Sequence, residues 1–351
     1  MNFPAAEYTL PPKDIDLPER EGFAKHTLVG LNLFLVEMAQ QFAQVMGIRT
    51  GDPMLSRKSG ATGLEGTEAA ILEQAAERTA AVSIAELERE DGALRAKLRI
   101  ENKAGHKFPS GVAFRRAFIE FNVLDADGEV LWSSGSTDGN GTIVDSTGAP
   151  LAGELWWSAD CAERIAPEAR AHQPHRQIIT RQDQVQIYEE LVAEPADVEA
   201  PVCGGRAKPE GKLTTSFLSI CAKVKDNRLL PHGFLPLEKR IEIAGALGAK
   251  ADLAEDVAPV AVGDDPDYRD GGRDEIVYQV KLDELSGEPA SVRATLYYQA
   301  APPYYLQDKF CTSRSEDTSR LYYMAGKLDL AASPIKDWKL KVGKSAQAPV
   351  P

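Results

Sequence analysis

The stretch that decides the fold runs from Ala81 to Asn102 and reads A-V-S-I-A-E-L-E-R-E-D-G-A-L-R-A-K-L-R-I-E-N. Its apolar residues fall close to a period of two, with Val82, Ile84 and Leu87 before the turn Glu90-Asp91-Gly92 and Leu94, Leu98 and Ile100 after it. Strand side chains alternate between two faces, and an Asp-Gly pair between alternating runs is a strong hairpin signal. The spacing therefore predicts a β-hairpin. The same pattern repeats downstream, where residues 117–124 lead through the turn Asp125–Gly128 into Glu129–Trp132. Further strand-like runs are Gln184–Glu189, Leu213–Val224, Glu275–Leu282 and Ser291–Gln299, with Lys339–Gly343 as a final candidate. Short strands, Asp-Gly turns and non-helical spacers imply a mainly β protein built as an antiparallel β-sandwich.

Upstream of the hairpin the period lengthens. Leu28, Leu31, Leu35, Met38, Phe42 and Val45 recur at spacings of three and four and predict a helix over His26–Ile48. A second helix is expected from Gly63 to Ala80. Two helices bury too little surface to stand alone, so this N-terminal helical pair must dock on the body or on another chain. Residues 1–20 carry Pro4, Pro11, Pro12 and Pro18 and read as an extended arm. The expected division is an arm plus helical pair over 1–80 and a β-sandwich domain with long loop insertions over 81–345. Minor C-terminal helices are expected at Pro236–Leu247 and Thr318–Leu330, while Ala301-Pro-Pro-Tyr-Tyr305 reads as a break after the last core strand.

Composition narrows the function. A net charge of −13 over 351 residues argues against nucleic acid, whose phosphates demand a clustered basic surface. No apolar run approaches the length of a transmembrane segment, and the first residues lack the basic and apolar regions of a signal peptide. The four cysteines, Cys161, Cys203, Cys221 and Cys311, allow three disulfide pairings and form no C-x-x-C. The motif C-x-x-C-H, which attaches c-type haem, is absent from the chain. Phosphate-loop, dinucleotide, zincin and nucleophile-elbow motifs are absent too, so no catalytic constellation marks the chain as an enzyme by itself.

The chemistry-bearing stretch is Asn102–Arg116, N-K-A-G-H-K-F-P-S-G-V-A-F-R-R. Gly105, Pro109 and Gly111 force a tight loop that presents His106 beside Lys107 and the Arg115-Arg116 pair. An imidazole so placed suits a metal centre or an acidic cofactor group; the plainer reading is a loop histidine bonded to its neighbours. In the first predicted helix His26 occupies the first turn, and Gly30 on the same face opens space for a flat ligand. His172-Gln-Pro-His175 offers two imidazoles without visible further ligands and reads as a solvated polar loop; His232 reads as structural. Asp138–Asp145 and Asp264–Asp274 are oxygen-rich Gly loops that can hold calcium, but neither follows the EF-hand spacing, so solvated acidic turns are expected.

Six stretches carry a resemblance when taken together. They are His26-Thr-Leu-Val-Gly-Leu-Asn32, Gly105-His-Lys-Phe-Pro-Ser-Gly111, Asp127-Gly-Glu-Val-Leu-Trp-Ser-Ser-Gly135, Gln184-Val-Gln-Ile-Tyr-Glu189, Lys225-Asp-Asn-Arg-Leu-Leu-Pro-His-Gly-Phe234 and Tyr297-Tyr-Gln-Ala-Ala-Pro-Pro-Tyr-Tyr-Leu306. In this order, from about residue 20 to 330, the chain resembles the C-terminal, non-haem-attaching portion of a group of bacterial multihaem c-type cytochromes. The resemblance implies a β-sandwich behind a haem-binding segment, with His26 and His106 as axial ligands to haem iron and Arg115 or Arg116 pairing a propionate. Lacking C-x-x-C-H, this chain would meet haem c carried by a partner chain or a missing N-terminal half. The implied partner is a multihaem cytochrome or other redox protein, and the implied location is periplasmic or extracellular. The alternative is a non-redox sandwich that binds protein or carbohydrate, with Trp156-Trp157 and Tyr304-Tyr305 as candidate contacts.

Overall fold

The computed structural model describes residues 29–49, 63–111, 113–195, 211–249, 254, 256–331 and 333–351. The chain divides into two compact units, Met1–Gly30 and Leu31–Pro351. Nearly all of the first lies outside the described residues, His26 included, and the architecture below is that of the second.

The predicted hairpin forms as β1 (Ala80–Glu90) and β2 (Ala93–Asn102), paired from Ala80↔Asn102 to Glu90↔Ala93. Asp91 and Gly92 both take positive φ, 51° and 73°, the turn whose twist matches its flanking strands. Leu94, Ala96, Leu98 and Ile100 of β2 alternate inward and are fully enclosed. β2 pairs with β8 (Arg273–Lys281), which buries Asp274, Ile276, Tyr278 and Val280 in the same alternation, and the short β5 (Ile178–Ile179) closes this sheet in the order β1-β2-β8-β5.

The second sheet runs β10-β9-β3-β6-β7, with β4 added to β3 and β11 to β9. Its strands are β3 (Arg116–Leu124), β4 (Val130–Ser134), β6 (Ile187–Ala193), β7 (Ala222–Asp226), β9 (Ser291–Gln299), β10 (Leu340–Lys344) and β11 (Ala348–Pro349). Every pairing except β5 with β8 is antiparallel. β3 is buried on both faces. On one, Phe121 stacks on Tyr278 of the first sheet at 4.2 Å, with Trp132 edge-on to both. On the other, Phe118 packs with Ile143, Leu151, Val185 and Ile187, supplied by the long excursion after β4 and the approach to β6. The protein is thus mainly β, two largely antiparallel sheets with a helical pair near the N-terminus and minor helices toward the C-terminus.

The helices depart from expectation in instructive ways. The first, α1, spans only Leu33–Gln41, because Asn32 caps it by accepting the Leu35 amide on Oδ1 at 3.2 Å. Gly30 therefore precedes this helix. α2 (Gly63–Arg78) forms as predicted, buries Ile71 and Ala75, and packs on β1 and β10. α3 (Leu237–Ala246) also forms as predicted, and α4 (Asp267–Asp270) is a single turn. The Ala-Pro-Pro-Tyr-Tyr stretch starts a helix, α5 (Pro303–Thr312), since Pro at the first helical position forfeits an amide that has no helical partner anyway. α6 (Glu316–Lys327) follows, capped by the Ser315 hydroxyl. A disulfide between Cys161 and Cys311 ties α5 to the excursion 150 residues earlier, and Cys221 is disulfide-bonded as well.

Gly135 ends β4 at φ 82°, and a Cβ there would collide with the carbonyl oxygen of Ile119 in the central strand. Gly128 has a similar φ of 86° with open space around it. Gly135→Ala should cost on the order of 3 kcal/mol through strain plus overpacking. Gly128→Ala should cost about 1 kcal/mol, the backbone term alone. Urea unfolding of the two variants checks the difference, and equal losses would contradict the close approach.

Candidate functional site

The loop joining β2 to β3 is held by its own backbone and by a distant segment. Asn102 is fully buried at the end of β2; its Nδ2 donates to the carbonyls of His106 and Leu229, both at 2.9 Å, while its Oδ1 accepts the Ala104 amide. Phe108 pairs with Leu229 through two backbone hydrogen bonds of 2.8 and 2.9 Å and buries its ring against Tyr298. The peptide bond from Phe108 to Pro109 is cis. Within this frame His106 is exposed. Its Nδ1 lies 2.9 Å from the Lys107 carbonyl oxygen, which can only accept, so the ring proton sits on Nδ1. Nε2 then carries the lone pair, and no other hydrogen bond to this exposed ring forms among the described residues.

The cations beside His106 do not all stay beside it. Lys107 turns inward and places Nζ 2.7 Å from Asp226 Oδ2, so it is not presented to a ligand at the surface. Arg228 grips the same carboxylate through Nε and Nη2 at 2.7 and 2.8 Å. Burial pushes the Lys107 ammonium down despite its single carboxylate partner. For Asp226 burial acts to raise the carboxyl, but Arg228 and Lys107 together outweigh it and hold it below the ordinary carboxylate range. Arg116 is also turned in. It is 1% exposed, forms a two-point pair with Glu154 at 2.5 and 2.7 Å, and donates from Nε to Gln299 at 2.7 Å. Three of its five N–H donors are committed there, and the guanidinium is sealed from the surface. Arg115 remains half-buried at the loop, reaching the Ser110 carbonyl, with its Nε enclosed and unpaired.

A second constellation escaped the sequence reading. His175, expected in a solvated loop, lies buried between the sheets against Asp265 and Asp274, and the ligand atoms of the three lie within 4.8 Å of one another. Asp274 opens β8, Asp265 sits just before α4, and His175 comes from the excursion before β5. The tautomer of His175 follows from its neighbours. Gln186 Oε1 accepts the Arg176 amide and Asn227 Oδ1 accepts the Glu189 amide, so both side chains turn NH2 groups toward His175 Nδ1, at 2.8 and 3.3 Å. Nδ1 therefore accepts, and Nε2 donates to Asp265 Oδ2 at 2.8 Å. Asp274 Oδ2 receives the Tyr188 hydroxyl at 2.8 Å and Gln186 Nε2 at 3.2 Å, while its Oδ1 is buried without a partner. Burial pushes the Asp274 carboxyl up to about 7. At Asp265 burial also acts upward, but the His175 and Asp267 donors prevail and hold it below the ordinary range. The Asp264–Asp274 stretch is thus not merely a solvated acidic turn. The signal that pointed here was its Asp density together with His175, which spacing alone could not connect.

The remaining sequence candidates are structural in placement. Asp138 and Asp145 each close their own turn by accepting backbone amides, and His232 forms an exposed pair with Glu101. Trp156 stacks on Tyr304 inside the core, and the partly buried Trp157 donates to Asp308. Tyr305, also partly buried, stacks on Phe114 at 3.7 Å. A cleft of about 620 Å³ beside α5 and α6 is lined by Leu306, Phe310, Arg314 and Tyr322 and, among the described residues, gathers no histidine or carboxylate. Among the described residues no helix is long and apolar enough to cross a membrane.

No protein-family model and no curated protein matches this chain. Among solved structures it is similar to a penta-heme cytochrome c552 from Thermochromatium tepidum, at 16% identity and a TM-score of 0.34, over 78% of this chain and 40% of that one.

Replacing Asp226 by Asn leaves Lys107 without its carboxylate and Arg228 with Glu190 alone, and should cost roughly 3 kcal/mol. Because the folded chain holds Asp226 below its unfolded value of about 4, its contribution is complete above that value. It is lost as pH falls through the lower folded pKa. The wild-type chain should therefore lose stability on acidification below about pH 4 more steeply than the variant does. Denaturant midpoints measured from pH 7 to pH 3 check both the cost and the slope.

Proposed function

We propose that this chain is the sandwich portion of a multihaem c-type electron-transfer assembly, packing against haem carried by a partner chain or by another segment. The observation that carries the reading is the state of His106. Its ring is exposed, its proton is held on Nδ1 by a backbone carbonyl, and its Nε2 lone pair is free to ligate. That is the arrangement an axial imidazole needs, because the fixed second nitrogen sets both ring orientation and basicity. The haem would supply redox chemistry when bound. This chain's residues would orient the ligand, restrict solvent and set the local charge.

The six stretches of resemblance support the same reading, and two of them, around His106 and around Asp226–Leu229, meet in the folded chain. Arg115 is the residue left to pair a propionate. His26, which lies outside the described residues, would supply a second axial imidazole. Disulfide-bonded Cys161, Cys311 and Cys221 support an oxidising compartment such as the periplasm or the cell exterior.

His106→Ala in the chain purified with its haem-bearing partner should convert one low-spin haem into a high-spin one and shift its midpoint potential. Electron paramagnetic resonance and a redox titration read this directly. Unchanged spectra and potentials in a complex that still assembles would remove His106 as a ligand.

A further inference from the structure

We propose that the groove between α5 and α6 binds an amphipathic organic monoanion, a medium-chain carboxylate, with its head at Arg314 and its chain running toward Trp338. The site is independent of His106. Two adjoining clefts of about 620 and 240 Å³ open along these helices and share Pro303, Leu306, Phe310 and Tyr322. Sites for small molecules typically enclose about 300–1,000 Å³ behind a mainly apolar lining.

The sequence explains why the two helices leave a gap. On α5 the lining residues Pro303, Leu306 and Phe310 recur at spacings of three and four, which is one helical face. Their counterparts on α6 are Thr318, Ser319, Tyr322, Ala325 and Gly326, again one face, but built mostly from small side chains. The rings of Phe310 and Tyr322 meet edge-on across the gap, with centroids 5.1 Å apart. A Cβ on Gly326 would meet nothing within 4 Å, so the groove stays open at that end. The Cys161–Cys311 disulfide also lines the larger cleft and anchors α5 against the excursion.

Charge selects the head group. In a chain of net charge −13, Arg314 is the one charged residue that lines either cleft among the described residues. Its guanidinium forms no ion pair or hydrogen bond among them. Asp317, in the first turn of α6, is paired with Arg320 at 3.5 Å and does not line the cleft. The Ser319 hydroxyl lines it too, has no partner among the described residues, and adds a second donor. A guanidinium presents a planar fork that matches the two oxygens of a carboxylate, and a hydroxyl can donate to either. The smaller cleft carries no charged residue; Ala301, Ala325, Gly326 and the Trp338 ring line it. The groove is therefore cationic at one end and apolar at the other. From Ser319 to Gly326 the helix rises about 10 Å, which gives room for a run of several methylenes.

The test is calorimetric titration of the full chain with octanoate, decanoate and dodecanoate below their micelle concentrations, and with dodecyltrimethylammonium. Arg314→Gln and Gly326→Phe are titrated alongside; both positions are exposed, so folded variants are expected. The wild type should bind one carboxylate per chain, tightening about two- to fourfold per added methylene, and should prefer dodecanoate to the cation. Arg314→Gln should weaken every carboxylate about fivefold and leave the dependence on chain length intact. Gly326→Phe should leave octanoate unchanged and flatten the gain from octanoate to dodecanoate. No binding, or equal binding of carboxylate and cation, would overturn the proposal. Carboxylate affinity unchanged in Arg314→Gln would overturn the position of the head, and an unchanged chain-length series in Gly326→Phe would overturn the course of the chain. Binding untouched by both variants would place the carboxylate on another apolar surface, such as the exposed Phe217 and Leu218, and overturn the site.

Discussion

The interior of this sandwich has to accommodate charge, and that constraint organises the second sheet. Lys225 has no exposed surface, and its Nζ donates to the carbonyls of Gln173 and Ile187 and to Glu189 Oε1, each at 2.9 Å. Three acceptors satisfy three donors, which is the condition for burying an ammonium at bearable cost. Burial still pushes Lys225 down from its ordinary value. The pair also fixes register. Glu189 lies on β6 and Lys225 on β7, and a one-residue slip would send one of them to the opposite face. Arg116, Glu154 and Gln299 impose the same condition between β3, the long excursion and β9. The excursion thereby becomes part of the core through a charge as well as through Ile143 and Leu151.

How much of this is legible in one dimension depends on how far apart the partners lie. The β1–β2 hairpin is readable because its turn, its register and its alternation all fall within residues 80–102. α1 is misjudged by its apolar stripe, which continues on both sides of a helix whose start Asn32 determines. α5 is missed because Pro302-Pro303 reads as a stop, although the same ring is welcome at a first turn. The inward turn of Lys107 depends on Asp226, 119 residues away, and that of Arg116 on Glu154 and Gln299. Polar residues at strand ends have no periodicity that announces burial. The His175 cluster is hidden for the same reason, since its carboxylates arrive from 90 and 99 residues downstream, counted from position 175 to 265 and 274.

The imidazoles of His106 and His175 are used in opposite ways, and each use is dictated by a neighbour with fixed hydrogen-bonding character. A backbone carbonyl at His106 holds the proton on Nδ1 and leaves Nε2 to the outside. Two side-chain amides at His175 make Nδ1 the acceptor and direct Nε2 to a buried carboxylate. Both assignments follow from groups whose donor or acceptor roles are already committed to the backbone.

The same four residues support both environments. In Asp226-Asn227-Arg228-Leu229, Asp226 holds Lys107 and is itself held by Arg228, while Leu229 pairs with Phe108 and accepts from Asn102. Asn227 points the other way, to the Ile187 carbonyl, the Glu189 amide and His175 Nδ1, and its own carbonyl accepts the Tyr268 hydroxyl. An extended segment sends successive side chains to opposite sides, so one short run can brace an exposed loop on one side and a sealed polar cluster on the other. A displacement of this segment cannot loosen the His106 loop alone. It would also withdraw an amide from His175, so the geometry of the outer imidazole and that of the inner one are mechanically joined through residues that belong to neither site.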